Sequence, residues 1–590
     1  MAVPGSIPNI LLIAQTSSGE WIKIACDCVT YPLYQTIGIM QSRQVIQGAS
    51  ALINKTSWLE ELSWAYKVPA SFIFGCFLGL SSAGFEIWWL AWIGLAPLLI
   101  LLRGCKSLTE ALLVGTFFGF GYHAVSLSWY LGLAPLGWLK VPELVGIFTS
   151  FAIWILEIVH QSILYAAFAA MVYSLPLRAG FLPNIQRPFF PYAVSISVIW
   201  VFLQWIVSPS ELFVGLPINQ LAYSQYKQLS LVQIVSVLGP GSLDFMIVLF
   251  NCCIANFFLE FLSPAKKLEE RTDKLKPRFG AIFDLLILGL LLTNLSHWGN
   301  QRVTSINIRS EVATARHRDP NTPPVPLAVL QGNVSIAEER LKITKPEQIK
   351  DLYKSLGQNL GALILCLPEG VINSNQMVPG GLLSVLENIS RTQNKEVIAG
   401  SIETLQTGHA NAARLLSPES IKPTKQASSL YLKNRLVPLG ESAPIDILNK
   451  RIPAPVRERI PASRESFIKA SSTNLLKSIW GDVGLSIYIE LFYPRLIADE
   501  VRKGANLLVN VSNLSWFHES SLKQQLIAAG VFRAVENGRF LVISTNTGVS
   551  AIIAPSGMIS NISLSGHRGV LLNTIQFLYR KTPFSRMWWM

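Results

Sequence analysis

Between Val68 and Leu102 the chain carries a single charged side chain, Glu86. Apolar stretches of the same character return at about 110–133, 144–175, 190–207, 243–262 and 281–295. A backbone inside hydrocarbon has to bond its own N–H and C=O groups, so runs of this length predict membrane-spanning helices. Seven are expected, the first two short and turning near Gly84 and Phe85. The whole chain agrees: half of its 590 residues (50%) are hydrophobic, 14% are charged, and the mean hydropathy is +0.39. That is too apolar for an ordinary soluble protein.

The net charge of +13 does not point to nucleic acid, because the basic residues sit in the connections between apolar runs. Arg103 and Lys106 follow the second run, Arg178 and Arg187 the fourth, and Lys266, Lys267, Arg271, Lys274, Lys276 and Arg278 the sixth. This alternation fits the positive-inside rule with a cytoplasmic N-terminus, and seven spans then place everything after Trp298 on the outer side. No basic start precedes the first short apolar run, so the spans themselves are expected to direct insertion. Residues 1–66 are mixed in character and predict no span. Glu157 and His160, inside the fourth span, either line a lipid or substrate path or are satisfied by neighbouring helices. The seven cysteines, among them Cys26, Cys28, Cys76, Cys105, Cys252, Cys253 and Cys366, show no zinc-type spacing.

After residue 298 the pattern changes. A polar, Pro-rich stretch (299–326) reads as a linker, and residues 327–575 alternate short β-branched runs with polar helical ones, which predicts one α/β domain. Residues 576–590 read as a tail with interfacial aromatics and no span.

Within that domain, Leu363 to Leu367 is a short apolar run ended by Pro368 and Gly370 and delivering Glu369. A carboxylate at the rim of a buried strand is desolvated, which raises its pKa and suits a general base or acid. Lys433 stands at another strand end, where an ammonium stabilises a carbonyl oxygen turning negative. Glu441 follows a Pro-x-Gly turn, and Glu490 closes the run 483–489. Read singly, each of these has an ordinary explanation: a loop carboxylate, a solvated lysine or a structural ion network.

In their order, however, the stretches Phe85 to Pro97, Gln331-Gly332-Asn333, Pro368-Glu369, Lys433 to Glu441, Ile487 to Pro494, Ser512 to Phe517 and Thr545 to Gly548 resemble the apolipoprotein N-acyltransferases of the carbon-nitrogen hydrolase (nitrilase) superfamily. The resemblance implies a multi-pass α-helical membrane domain (67–298) carrying an α/β nitrilase-like αββα sandwich. It implies a bacterial inner-membrane protein with that sandwich in the periplasm. Its reaction moves an acyl chain from a phospholipid to a cysteine, then to the α-amino group of a lipoprotein's diacylglyceryl-cysteine, without a cofactor. Glu369 matches the family's general base and Lys433 its oxyanion stabiliser. Glu441, Glu490, Asn513 and Trp516 match supporting or substrate-binding positions.

Tyr488 stands where the family has its nucleophilic cysteine. A phenol of pKa about 10 is a poor nucleophile at neutral pH, and its ring fills space that an acyl carbonyl needs. Cys366, three positions before Glu369, reads as core packing rather than as a substitute. Leu367, Leu514 and His518 also depart from the family's pattern, and its closing span is not seen. Two readings of activity stay open: acyl transfer by an altered mechanism, and a non-catalytic relative that binds lipid or lipoprotein or assists a true transferase. A soluble amidase leaves the spans unexplained, and no internal repeat supports a transporter.

Overall fold

The computed structural model describes residues 11–15, 21–25, 59 and 61–587, apart from 137–140, 176–188, 208–219, 263–275, 317–322, 335–343, 359, 407, 419–429, 438–440 and 442–466. Cys26, Cys28, Arg178, Arg187 and the whole of the basic run 266–274 therefore lie outside the described residues. The chain divides into two units, residues 1–55 and 56–590. In the first, β1 (Leu11–Gln15) and β2 (Trp21–Ala25) form an antiparallel hairpin.

The second unit begins with the helices of the apolar half: α1 (Trp64–Gly79), α2 (Ala96–Arg103), α3 (Leu108–Ser126), α4 (Glu143–Ser174), α5 (Phe189–Val207), α6 (Gly241–Leu262) and α7 (Lys276–Arg316). Among the described residues three helical stretches are long and apolar enough to cross a bilayer: Glu143–Ser174, Gly241–Leu259 and Ala281–Ile308. Leu90–Arg103 and Tyr192–Ile206 are shorter apolar helices. The expected turn near Gly84 is present, with positive φ at Gly84 and Glu86. Glycines let α1 and α3 touch backbone to backbone: a Cβ on Gly121 would lie 2.0 Å from the Phe72 carbonyl oxygen. Asn251 of α6 accepts from the N–H groups of Leu95 and Ala96 and so caps α2 from a neighbouring helix. Glu157 is satisfied on its own helix, accepting from Gln161 at 2.8 Å, with His160 3.7 Å away.

Two expectations are corrected here. Residues 299–316 are not a linker but the C-terminal end of α7, whose 41 residues reach roughly 60 Å at 1.5 Å per residue, about twice a hydrocarbon core. Polar Asn307, on that extension, accepts from Ser556 of the soluble half at 2.6 Å. Nor is 576–587 a loose tail. Phe577 is buried, Thr582 donates to the Glu536 carbonyl, and Pro583–Met587 is helical.

The soluble half holds two six-stranded sheets. The first runs β14-β3-β4-β5-β6-β7, the second β13-β12-β11-β10-β9-β8. In order these strands are β3 (Pro324–Gln331), β4 (Ile364–Ile372), β5 (Glu396–Leu405), β6 (Gly408–Leu416), β7 (Leu430–Leu432), β8 (Leu476–Ser478), β9 (Gly481–Ile487), β10 (Leu507–Ser512), β11 (Leu541–Thr545), β12 (Ala551–Ile553), β13 (Ile559–Ile562) and β14 (Gly569–Gln576). The centre of each sheet is parallel (β3, β4 and β5; β9, β10 and β11) and its flanks are antiparallel. Strand alternation sorts the side chains. Cys366 packs in the shared core with Leu485 and Val509, while Leu365 and Leu367 pack with α8 (Pro346–Gly357) and α9 (Leu382–Gln393). Helices α10 (Pro494–Lys503) and α11 (Leu522–Asn537) cover the second sheet. The result is the expected αββα sandwich.

The two halves meet through one set of connections. Ser126 accepts from Gln525 at 2.8 Å, Gln233 donates to the Ser556 carbonyl at 2.9 Å, and Tyr223 packs edge-on against Phe532. These contacts fall on alternate connections, while Arg103 and Lys106 lie on the other set.

Candidate active site

Glu369 is placed by an irregularity that its sequence only half announces. The parallel register of β4 on β5 runs to Leu367 opposite Ala399 and resumes at Ile372 opposite Ser401. The residues between bulge away, and a bulge re-aims side chains. Glu369 therefore sits within the strand's span, not at its end. Gly400 makes the bulge fit: a Cβ there would lie 2.4 Å from the Glu369 Cα and 2.5 Å from the Pro368 carbonyl oxygen. These are backbone atoms and cannot yield. Gly400→Ala is expected to cost about 1–3 kcal/mol of stability and to displace Glu369, read by thermal denaturation alongside turnover.

Lys433 follows β7 directly, and its backbone is pinned on both sides: its N–H donates to the Asn411 carbonyl, and its own carbonyl accepts from Ala470. Its buried Nζ lies 2.8 Å from Glu441 and 3.4 Å from Glu369, whose side chains are 12% and 11% exposed. Asn411 of β6 joins the same two carboxylates, its amide donating to both at 2.7 and 2.6 Å. Glu441 also accepts from the Val437 N–H at 2.8 Å. Burial raises Glu369 above the ordinary carboxylate range; Lys433 opposes that shift and Glu441 adds to it. Burial pulls Lys433 down, but Glu441 and Glu369 outweigh it and hold the ammonium above its usual value. The set is a proton acceptor beside a fixed cation, the pairing that an acyl substitution requires.

Glu490 plays a different part. It lies in the 3-10 turn Tyr488–Phe492 after β9 and is completely buried. One oxygen accepts from the N–H groups of Asn434 and Arg435, the other from the Ile487 N–H and the Tyr431 hydroxyl. It thereby ties the Lys433 loop to the Tyr488 turn. Burial lifts it to about 7 against the pull of Lys433 and the backbone donors.

Tyr488 itself has φ 52°, a strand-to-helix corner that costs a residue with a Cβ about 1–3 kcal/mol. Its ring centroid is 5.7 Å from the Lys433 Nζ. Burial, then Glu369 and Glu441, push its phenol well above the usual value. Cys366 is fully buried in the inter-sheet core and burial pushes its thiol up, which suits packing rather than nucleophilic attack.

The structure thus brings Glu369, Lys433, Glu441, Glu490 and Tyr488 together. Asn513 joins through its backbone, whose N–H donates to Glu369 at 2.9 Å; its side chain instead accepts from Ser515. Trp516 lies half-buried in the 3-10 turn Ser515–Phe517 that follows Asn513. Its neighbour Phe517 packs on Trp129, at 5.0 Å, and on Tyr130 of the apolar half. Tyr130 is within electrostatic reach of Tyr488. Sequence reasoning missed Asn411, Gly400 and Tyr130. Only Asn411 left a signal, as an amide on the apolar face of a strand between Ala410 and Ala412.

Comparison with known proteins agrees with both halves. Residues 74–253 match the apolipoprotein N-acyltransferase N-terminal domain, and residues 328–582 match the carbon-nitrogen hydrolase domain. The apolipoprotein N-acyltransferase of Geobacter metallireducens is 27% identical over 499 residues, covering 83% of this chain and 85% of that one. That of Azotobacter vinelandii is 26% identical over 545 residues (90% and 93%), and that of a Nostoc species 24% over 500 (81% and 87%). With a nitrilase-like sandwich joined to apolar helices long enough to span a bilayer, and relatives alike over most of both lengths, the chain is an integral membrane protein that belongs to the apolipoprotein N-acyltransferase family.

Proposed function

We propose that this chain carries out the N-acyl transfer of its family, taking an acyl chain from a phospholipid and delivering it to the N-terminal amine of a diacylglyceryl-cysteine lipoprotein. The observation that carries this reading is the assembled Glu369, Lys433 and Glu441 set, held by Asn411 beside a strained corner. Glu369 acts as general base and Lys433 steadies the tetrahedral oxyanion. The acyl carrier in this reading is the Tyr488 oxygen. Glu369 takes its proton, the oxygen bonds to the ester carbonyl carbon, and the lysophospholipid alcohol leaves with that proton. The amine then displaces the Tyr488 oxygen, which regains its proton. An aryl ester yields to an amine, and here the Tyr488 oxygen leaves as the phenol, on the proton that Glu369 passes back from the amine.

A second reading is favoured by the same residue. The phenol's raised pKa and its ring beside Lys433 fit a non-catalytic relative that binds lipid or lipoprotein. Expression in bacteria depleted of their own transferase, with lipoprotein N-termini read by mass spectrometry, separates the two. N-acylation by the native chain and its loss in Tyr488→Phe support transfer through Tyr488. A silent native chain, correctly inserted, sinks it. Alternation of the basic connections, with Arg103 and Lys106 on the side away from the contacts to the sandwich, supports a cytoplasmic N-terminus and a periplasmic sandwich in the inner membrane.

A further inference from the structure

Arg495 opens α10, seven residues after Tyr488, and lays its guanidinium over the ring of Trp205, 4.8 Å from the centroid. Trp205 belongs to an outward stripe of α5 with Val198, Phe202 and Ile206, each between 42% and 52% exposed. Their spacing puts them on one side of the helix, and in a membrane protein that side meets lipid chains. Phe202 stacks on Trp205 at 6.4 Å. Trp is favoured at the level of lipid headgroups, so Arg495 stands where the apolar stripe ends and headgroups begin.

The charge of Arg495 is not answered by an acidic side chain among the described residues. Among the described residues no carboxylate lies within ion-pair distance of it, whereas Arg414, Arg502 and Arg533 each hold one (Glu403, Asp499 and Glu536). Burial pulls its pKa down. A second guanidinium, Arg435, lies 5.5 Å from the ring of Tyr493, and its backbone N–H is held by Glu490. Tyr493 in turn donates its N–H to the Glu490 carbonyl. A path of cationic and aromatic groups therefore leads from the lipid-facing side of α5 to the turn that carries Tyr488.

We infer that Arg495, stacked on Trp205, docks the phosphate of a glycerophospholipid that approaches along the exposed face of α5 toward the Glu369 and Lys433 site. A guanidinium presents a planar fork that matches a phosphate's oxygens, and stacking fixes its plane in advance. This rests on the reading of that site as one that handles a phospholipid.

The test uses the full chain in detergent micelles, with native mass spectrometry of retained dioleoylphosphatidylglycerol and of dioleoylglycerol, which lacks the phosphate. The native chain is expected to retain the phospholipid over dioleoylglycerol, and Arg495→Gln to lower phospholipid retention about tenfold while leaving dioleoylglycerol unchanged. Arg495→Lys, which keeps the charge without the fork, is expected to fall between them. Equal phospholipid retention by folded Arg495→Gln overturns the inference. Complete displacement of the phospholipid by inorganic phosphate also overturns it, since the site would then be one for free anions. Failure here is separable from failure of the transfer reading. Arg495-dependent retention with no acyl transfer from the native chain sinks only the latter, and transfer with Arg495-independent retention sinks only the former.

Discussion

Substituting cysteine for Tyr488 is expected to raise acyl transfer by about 10³-fold or more over the native chain, because a phenol held well above its usual pKa is a far weaker nucleophile than a thiol in the same place. The surroundings are already built. The corner at φ 52° presents the side chain beside Lys433, and Glu369 is lifted by burial toward the range of a working base. A thiol ionises more readily than this phenol and leaves the volume of a ring for the acyl carbonyl. In the Tyr488→Cys background, Lys433→Met is expected to remove about 10²–10³ of the gain, the usual worth of one oxyanion donor. Both are read as rates of lipoprotein N-acylation from a defined phospholipid. Tyr488→Cys no faster than the native chain, with its thermal transition intact, would count against the site as an acyl-transfer centre.

The second large effect is on stability. Glu490→Gln is expected to cost about 2–5 kcal/mol, because four donors converge on the carboxylate and the amide turns an N–H₂ toward two of them. Since Glu490 ties the Lys433 loop to the Tyr488 turn, the variant loses binding as well as stability, as denaturation and lipid retention would record. A pH signature accompanies it. The folded pKa of about 7 lies above the unfolded value of 4.5, so this contribution to stability is present in full below the unfolded pKa and lost as pH rises through about 7. Glu490→Gln should flatten that slope. An unchanged slope would assign it to other groups, such as Glu536, which burial also raises to about 7.

Much of this architecture is legible in the order of residues alone. Apolar runs such as 190–207 and 243–262 predict helices because hydrocarbon leaves the backbone no other partner, and the structure has them at Phe189–Val207 and Gly241–Leu262. The C-terminal end of α7 was not legible. Its polar residues read as linker because nothing local says that Ser556 will meet Asn307. Likewise Phe577 read as interfacial, since an aromatic near the end of a chain carries the same local signal whether it meets a membrane or a core.

The sequence by itself determined the composition of the site: Glu369, Lys433 and Glu490 stand at the ends of β-rich runs, Glu441 follows a Pro-x-Gly turn, and Tyr488 stands where the family has its cysteine. Those are properties of residue type and order along the chain. Only the tertiary structure decided how they act together. It placed Asn411 and Lys433 between two carboxylates some distance away in sequence, gave Glu369 its bulge against Gly400, and set Arg495 on Trp205. Each of these depends on pairing between strands or on contact between halves, and the energy of such contacts is not encoded in any one segment.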